Sequence, residues 1–494
     1  MKKTKLFYFS MLICMIFAST SVFALTTGDF QSQATGNWSA ISTWQTYDGT
    51  NWNAAVALPD LTQAITITIQ TGHTVTVDAA YTANNAALNI VVNGYLKETA
   101  VITKTLGIWT INGTYEFNHI SASGSALPTA TWNDGSTCNI TGITSVTTGI
   151  NASQSFYHLV FNCPNMSASL NLGWNTGTIT VRGNFTVSNT GSGRLQVCGP
   201  TAGTASAISS VTVNIGGNIV VDGSNATSTA TGVILTSNGT SNNYTAIVIN
   251  VAGNVTVSGN SALAANNAFT VFAISKGSQG GTGTTVWNFG GDVSISNAAL
   301  QNSNTAGGKC VFAKSGTQSL TLANINSTAA PFNMEVLSGS TLNIGANTLT
   351  PSTGFFTLGA GAGIISSHAS GLNGNLTNTG SKTLNTAANY NFNGSSAQVC
   401  GALMPTTVNN LTINNAAGLA LSGATTVNGT LSLTSGKISV GANDLTIGAT
   451  GIISGASASN YIVTDGAGRL NIPVSAGVAT LLPIGASASS YDPV

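Results

Sequence analysis

Between Asn410 and Ile453 the chain reads NLTINNAAGLALSGATTVNGTLSLTSGKISVGANDLTIGATGII. Leu411-Thr-Ile413, Leu419-Ala-Leu421, Leu431-Ser-Leu433, Ile438-Ser-Val440 and Leu445-Thr-Ile447 each place two apolar residues on one side of an extended segment. That is strand periodicity. A β-sandwich uses strands of about five or six residues with turn signals every ~8 to 12. Here most bursts are three residues long, and Gly, Asn or Ser follows directly. Strands so short bury nothing alone, but coils of two or three of them, stacked, supply each other with a core and with backbone partners. The expected fold is therefore all-β, a right-handed parallel β-helix with an N-terminal cap. Coils of roughly 20 to 25 residues rising ~4.8 Å each would make a rod on the order of 100 Å long.

The same alternation runs upstream. In AITITIQTGHTVTVD, residues 64–78, Ile65, Ile67 and Ile69 share one face and Val75 and Val77 resume it after Gly72. Longer repeats are superimposed. VRGNFTV, IGGNIVV, VAGNVTV and FGGDVSI carry their second glycine at Gly183, Gly217, Gly253 and Gly291, separated by 34, 36 and 38 residues. The glycine with the Asn or Asp after it suggests a bend with positive φ. Across 246 residues, GTITVRGNFTV matches GATTVNGTLSL, pairing Gly183 with Gly429, Phe185 with Leu431 and Val187 with Leu433. HLVFN and NLTIN precede them.

Residues 1–24 have the form of a secretory signal peptide: Lys2, Lys3 and Lys5, an apolar run from Leu6 to Phe17, and small residues ending at Ala24. The expected location is secreted or cell-surface, with no transmembrane segment, because no later apolar stretch approaches the ~18 residues of a spanning helix. Residues 25–120 read as a cap and first coils, 121–400 as irregular repeats and 401–494 as regular coils, breaking off within a unit. The Ser-, Ala- and Asn-rich stretches at 202–210, 222–246 and 258–268 read as loops between coils.

Only 5% of the 494 residues are charged, with 13 basic and 13 acidic side chains, while 42% are hydrophobic. No basic stripe exists to neutralise phosphates, so nucleic acid is not an expected partner. Disorder is disfavoured, since the polar remainder is Thr, Ser, Asn and Gly and not a block of like charge. Cys138, Cys163, Cys198, Cys310 and Cys400 form no C-x-x-C and are expected to be small buried hydrophobes.

GNWSAISTW (36–44) with ITIQTGHTVTVD (67–78), ATWNDGSTCNITGIT with FNCPN, and the NNLTINNAAGLALSGATTVNGTLSLTSGKI stretch together resemble long secreted surface proteins of Bacteroidota, of the type IX secretion class. The N-terminal part is also similar to the extracellular eight-glycine domain. The resemblance implies architecture and export; it supplies no catalytic residue.

No G-x-S-x-G elbow, Walker A loop or EF-hand loop is present. His73, His119, His158 and His368 are scattered; His73 and Asp78 lie an odd number of residues apart, on opposite faces of an extended strand. β-helices also carry polysaccharide lyases and glycoside hydrolases, which need clustered carboxylates. Asp222, Asp292, Glu335, Asp444 and Asp465 are dispersed, and only the last two, about one coil apart, could stack. Arg182, Arg194 and Arg469 are the only arginines. No catalytic, cofactor or metal site is assigned. Trp38, Trp44 and Trp52 are candidates for glycan contact by stacking on sugar rings, or else they plug the first coil; the plug is favoured. The functional expectation is an adhesin-like or structural rod making weak multivalent contacts with polysaccharides or neighbouring cell surfaces. The alternative is a carbohydrate-active enzyme on the same fold.

Overall fold

Thr74–Val77 and Tyr95–Glu98 lie side by side and parallel, with Val75 opposite Leu96 and Val77 opposite Glu98. The next strand, Thr114–Phe117, continues the ladder with Tyr115 on Leu96. In the computed structural model, which describes residues 24–118, 126–145, 150–174, 176–198, 210–226, 232–236, 246–262, 270–275, 284–302, 308–325, 333–349, 354–474 and 480–494, this ladder runs on through one parallel pairing per coil as far as Ile452–Ser454. Residues 1–23, His119 and most of the three loop stretches lie outside the described residues.

Two further sets of sheets accompany it. One comprises a seven-stranded, an eight-stranded and a four-stranded sheet in succession; the other comprises a two-stranded and two five-stranded sheets. The protein is thus all-β, built from long parallel sheets of stacked strands in a solenoid-like arrangement. The side chains that alternation assigns to the interior are inside. Val75, Leu96, Tyr115, Cys138, Leu159, Phe185, Ile219 and Val255 succeed one another along the long ladder, each at most 1% exposed. They belong to one continuous apolar core reaching from Trp38 to Ile462. Full burial of an aliphatic side chain stabilises by about 1.5–3 kcal/mol, so stacking coils is what holds such short strands in place.

Two expectations need correction. Coils are not uniform: registers advance by 19 residues from Leu96 to Tyr115 but by 34, 36 and 38 through Phe185, Ile219, Val255 and Val293. The glycine repeat is therefore one whole coil, lengthened by its loops. Its glycines also do not adopt positive φ. They are glycines because the coils approach too closely for a side chain: a Cβ on Gly253 would sit 2.5 Å from the Gly217 carbonyl oxygen, and one on Gly291 would sit 2.3 Å from that of Gly253. The long-range echo is structural. Phe185 and Leu431 both point into the core from the long ladder, each over its upstream neighbour, Leu159 and Leu411 respectively.

At the N-terminal end parallel stacking stops. Phe30–Ser32 pairs in parallel with Thr66–Ile69 but antiparallel with Trp44–Tyr47, which pairs antiparallel with Trp52–Ala54. Further along, the seven-stranded sheet ends at Ala130–Trp132 and the eight-stranded sheet begins at Gly177–Val181. Arg182 spans that break, donating to the Trp132 carbonyl, pairing with Asp134 at 3.3 Å and lying over the Tyr157 ring.

Candidate functional site

Trp38 and Trp44 are fully buried, their rings meeting edge to face at 4.8 Å, and the Trp44 indole N–H donates to the Trp38 carbonyl at 2.9 Å. Neither offers a ring face to a ligand. Trp52 is half-buried against Tyr47 at 5.2 Å and alone keeps surface for contact.

Among the described residues, a surface groove lies at the other end. A groove of about 350 Å³ crosses the five-stranded sheet made by Gln398–Val399, Leu419–Ala420, Ile438–Ser439, Ile462–Val463 and Ile484–Gly485. Ala397, Ala416, Ala417 and Ala420 leave its floor open because they carry only a methyl group. Lys437 and Asp465 flank it. Register explains Lys437: Ile438 pairs with Ile462, so Lys437 aligns with Tyr461 on the next coil, and its ammonium lies 5.2 Å from that ring centroid. The ring is held in turn by its hydroxyl, which donates to the Ser487 carbonyl at 2.8 Å. Asp465 accepts from the Ser439 hydroxyl at 2.8 Å and from the Gly441 N–H at 3.1 Å. The groove thus presents an ammonium donor and a carboxylate acceptor over a small apolar floor, a donor and acceptor set suited to hydroxyl groups.

Asp444 does not join it. Its carboxylate accepts the Arg469 N–H at 2.9 Å, on the neighbouring four-stranded sheet, so Asp444 and Asp465 are not brought together. Elsewhere the acids serve the coils. Asp292 accepts the Ser319 N–H at 3.0 Å and pairs with Lys314 at 3.3 Å, which together hold its pKa below the ordinary value. Asp222 accepts from Ser224 N–H and Ser258, and Glu335 pairs with Lys309 at 2.5 Å. His73 Nδ1 lies 2.9 Å from the Ser32 hydroxyl while Asp78 accepts from Ser39, so the two do not pair. His158 Nδ1 accepts the Asn184 N–H, and His368 Nδ1 accepts that of Ser370. Arg194 contributes its carbonyl to Leu170.

Sequence reading missed Lys437 and Tyr461, whose relation is visible only once the coil length is known. It also missed an interior cluster. Glu98 is fully buried, at a core-facing position of the long ladder; it is paired with Lys104 at 2.8 Å, accepts the Ile102 N–H at 3.1 Å, and accepts the hydroxyl of buried Tyr115. Glu116, on the opposite face of its strand, accepts from Tyr95 at 2.5 Å and Thr141 at 2.7 Å. Cys138, Cys163, Cys198, Cys310 and Cys400 are buried and free, and burial raises the pKa of each of these thiols, those of Cys163 and Cys400 to about 12. Among the described residues no cluster of His, Cys, Asp and Glu could hold a metal, and no helix is long and apolar enough to cross a membrane.

Comparison with known proteins adds no relative: no protein-family model, no curated protein and no solved structure matches the chain.

Proposed function

We propose that the chain is an exported surface rod, a right-handed parallel β-helix with an N-terminal plug, that makes weak multivalent contacts with polysaccharides. The groove carries this reading. It runs across several successive coils, so an extended polymer could lie along the rod, and Lys437 and Asp465 supply one donor and one acceptor to its hydroxyls. One such site binds weakly; repetition of rods on a surface supplies the avidity. The signal-like N-terminus and the resemblance to Bacteroidota surface proteins support export.

The test is retention of the purified chain on immobilised neutral and acidic polysaccharides, with assay of new chain ends. Retention lost in Ala417→Trp, which fills the groove from an exposed position, and reduced in Lys437→Ala, would support the reading. Retention unchanged by both, or release of new ends, would overturn it.

A further inference from the structure

Glu98 and Lys104 meet where neither charge is solvated. Glu98 follows Lys97 at an inward position, with Val77 below it and Phe117 above. Lys104 ends the strand Ile102–Lys104, and its side chain is only 7% exposed. A buried ion pair of this kind pays desolvation on both partners that its mutual attraction repays only in part. Burial lowers the Lys104 pKa, which favours the neutral amine.

From this geometry we infer that Lys104 and Glu98 condense into an intramolecular amide that cross-links one coil near the N-terminal end. Proton transfer within the pair gives an amine and a carboxylic acid. The Lys104 nitrogen lies 2.8 Å from Glu98 Oε1 and attacks the adjoining carboxyl carbon. The Ile102 N–H at Oε1 and the Tyr115 hydroxyl at Oε2 donate to the two oxygens on which charge develops. The new C–N bond forms as one carboxyl C–O bond breaks; that oxygen takes the surplus protons of nitrogen and acid and leaves as water. Tyr115 ends unchanged. No oxidant, reductant or co-reactant enters. Condensation removes both buried charges, and the fixed approach of the groups replaces a bimolecular encounter.

Intact mass spectrometry of the denatured chain, with a lysyl endopeptidase map, tests it. The mass should fall short of the sequence by one water, and the protease should cut after Lys97 but not after Lys104. Lys104→Met should restore the full sequence mass. A wild-type chain at full mass, cleavage after Lys104, or a water deficit that persists in Lys104→Met would each overturn the inference. The wild-type measurements decide the matter even if the variant does not fold.

Discussion

The side-chain oxygen of Asn184 accepts the backbone N–H of Asn218, one coil further on, at 2.9 Å. Asn218 accepts in the same way from Asn254 at 2.8 Å, Asn254 from Asp292 at 2.8 Å, and Asp292 from Ser319. His158 starts the series by accepting from Asn184. The links to Asn184, Asn218, Asn254 and Asp292 thus tie down the amide just before the next coil's strand, whereas Ser319 already lies within the strand Gly316–Ala323. Removing one link in Asn218→Ala should destabilise by about 0.5–1.5 kcal/mol, the usual net worth of a hydrogen bond. Asn218→Asp, which keeps the acceptor, should stay closer to wild type. Urea denaturation of the two variants checks this.

Glycines beside that corner should separate into two kinds. In Gly253→Ala the new Cβ would lie 2.5 Å from both the Gly217 carbonyl oxygen and Asn218 Oδ1, so the backbone must move. A loss of about 1–3 kcal/mol is expected for such overpacking. Gly423 has open space around its Cβ position and no positive φ. Gly423→Ala should therefore remain within about 0.5 kcal/mol of wild type. Equal thermal stability of the two variants would show that close approach is not the reason for the glycine column.

The strand pattern and the column of glycines were legible in the sequence because both are local: alternation assigned Phe185 and Leu431 inward, and the spacing from Gly183 to Gly291 is the coil itself. What the glycines do was not legible, since positive φ and close approach demand the same residue. Coil length was obscured by loops that lengthen a coil without altering its strands. Glu98 shows the other limit. Alternation from Leu96 places it inside, but hydropathy argues against an acid there, and its partners Lys104 and Tyr115 come from another strand and another coil. Lys437 and Tyr461 are likewise brought together only by register.

The two ends of the tryptophan cluster should respond differently. Trp44 is fully buried against Trp38, so Trp44→Ala should destabilise by about 3–5 kcal/mol through the cavity it leaves. Trp52 is half-exposed on an edge strand, and Trp52→Ala should be milder. Thermal denaturation distinguishes them. If Trp52 also contacts glycan, its variant should lose retention on polysaccharide while remaining folded, an effect separable from that of filling the groove.

Alkaline pH should loosen the N-terminal coils through Tyr95. Burial, and after it the hydrogen bond and charge of Glu116, push the Tyr95 hydroxyl up to about 12, from an ordinary value of 10.0. Glu116 is held below its ordinary value: burial works to raise it, but the hydrogen bonds from Tyr95, Thr141 and Asn118 and the charge of Lys97 together prevail. Tyr95 keeps its proton in the folded chain at pH values where the unfolded chain has begun to lose it. Its contribution is therefore fully present below about pH 10 and is lost as pH rises from about 10 to about 12. Unfolding midpoints measured across that window should fall more steeply for wild type than for Tyr95→Phe, which has no proton to lose. Glu116 gives the opposite limb: its contribution holds above the ordinary carboxylate range and disappears as pH falls through its lowered pKa, so Glu116→Gln should flatten the acid side and also make the alkaline decline shallower, leaving only the part that burial of Tyr95 sustains. An alkaline limb identical in wild type and Tyr95→Phe would mean that the hydroxyl ionises without strain, and that the Glu116 hydrogen bond does not hold it.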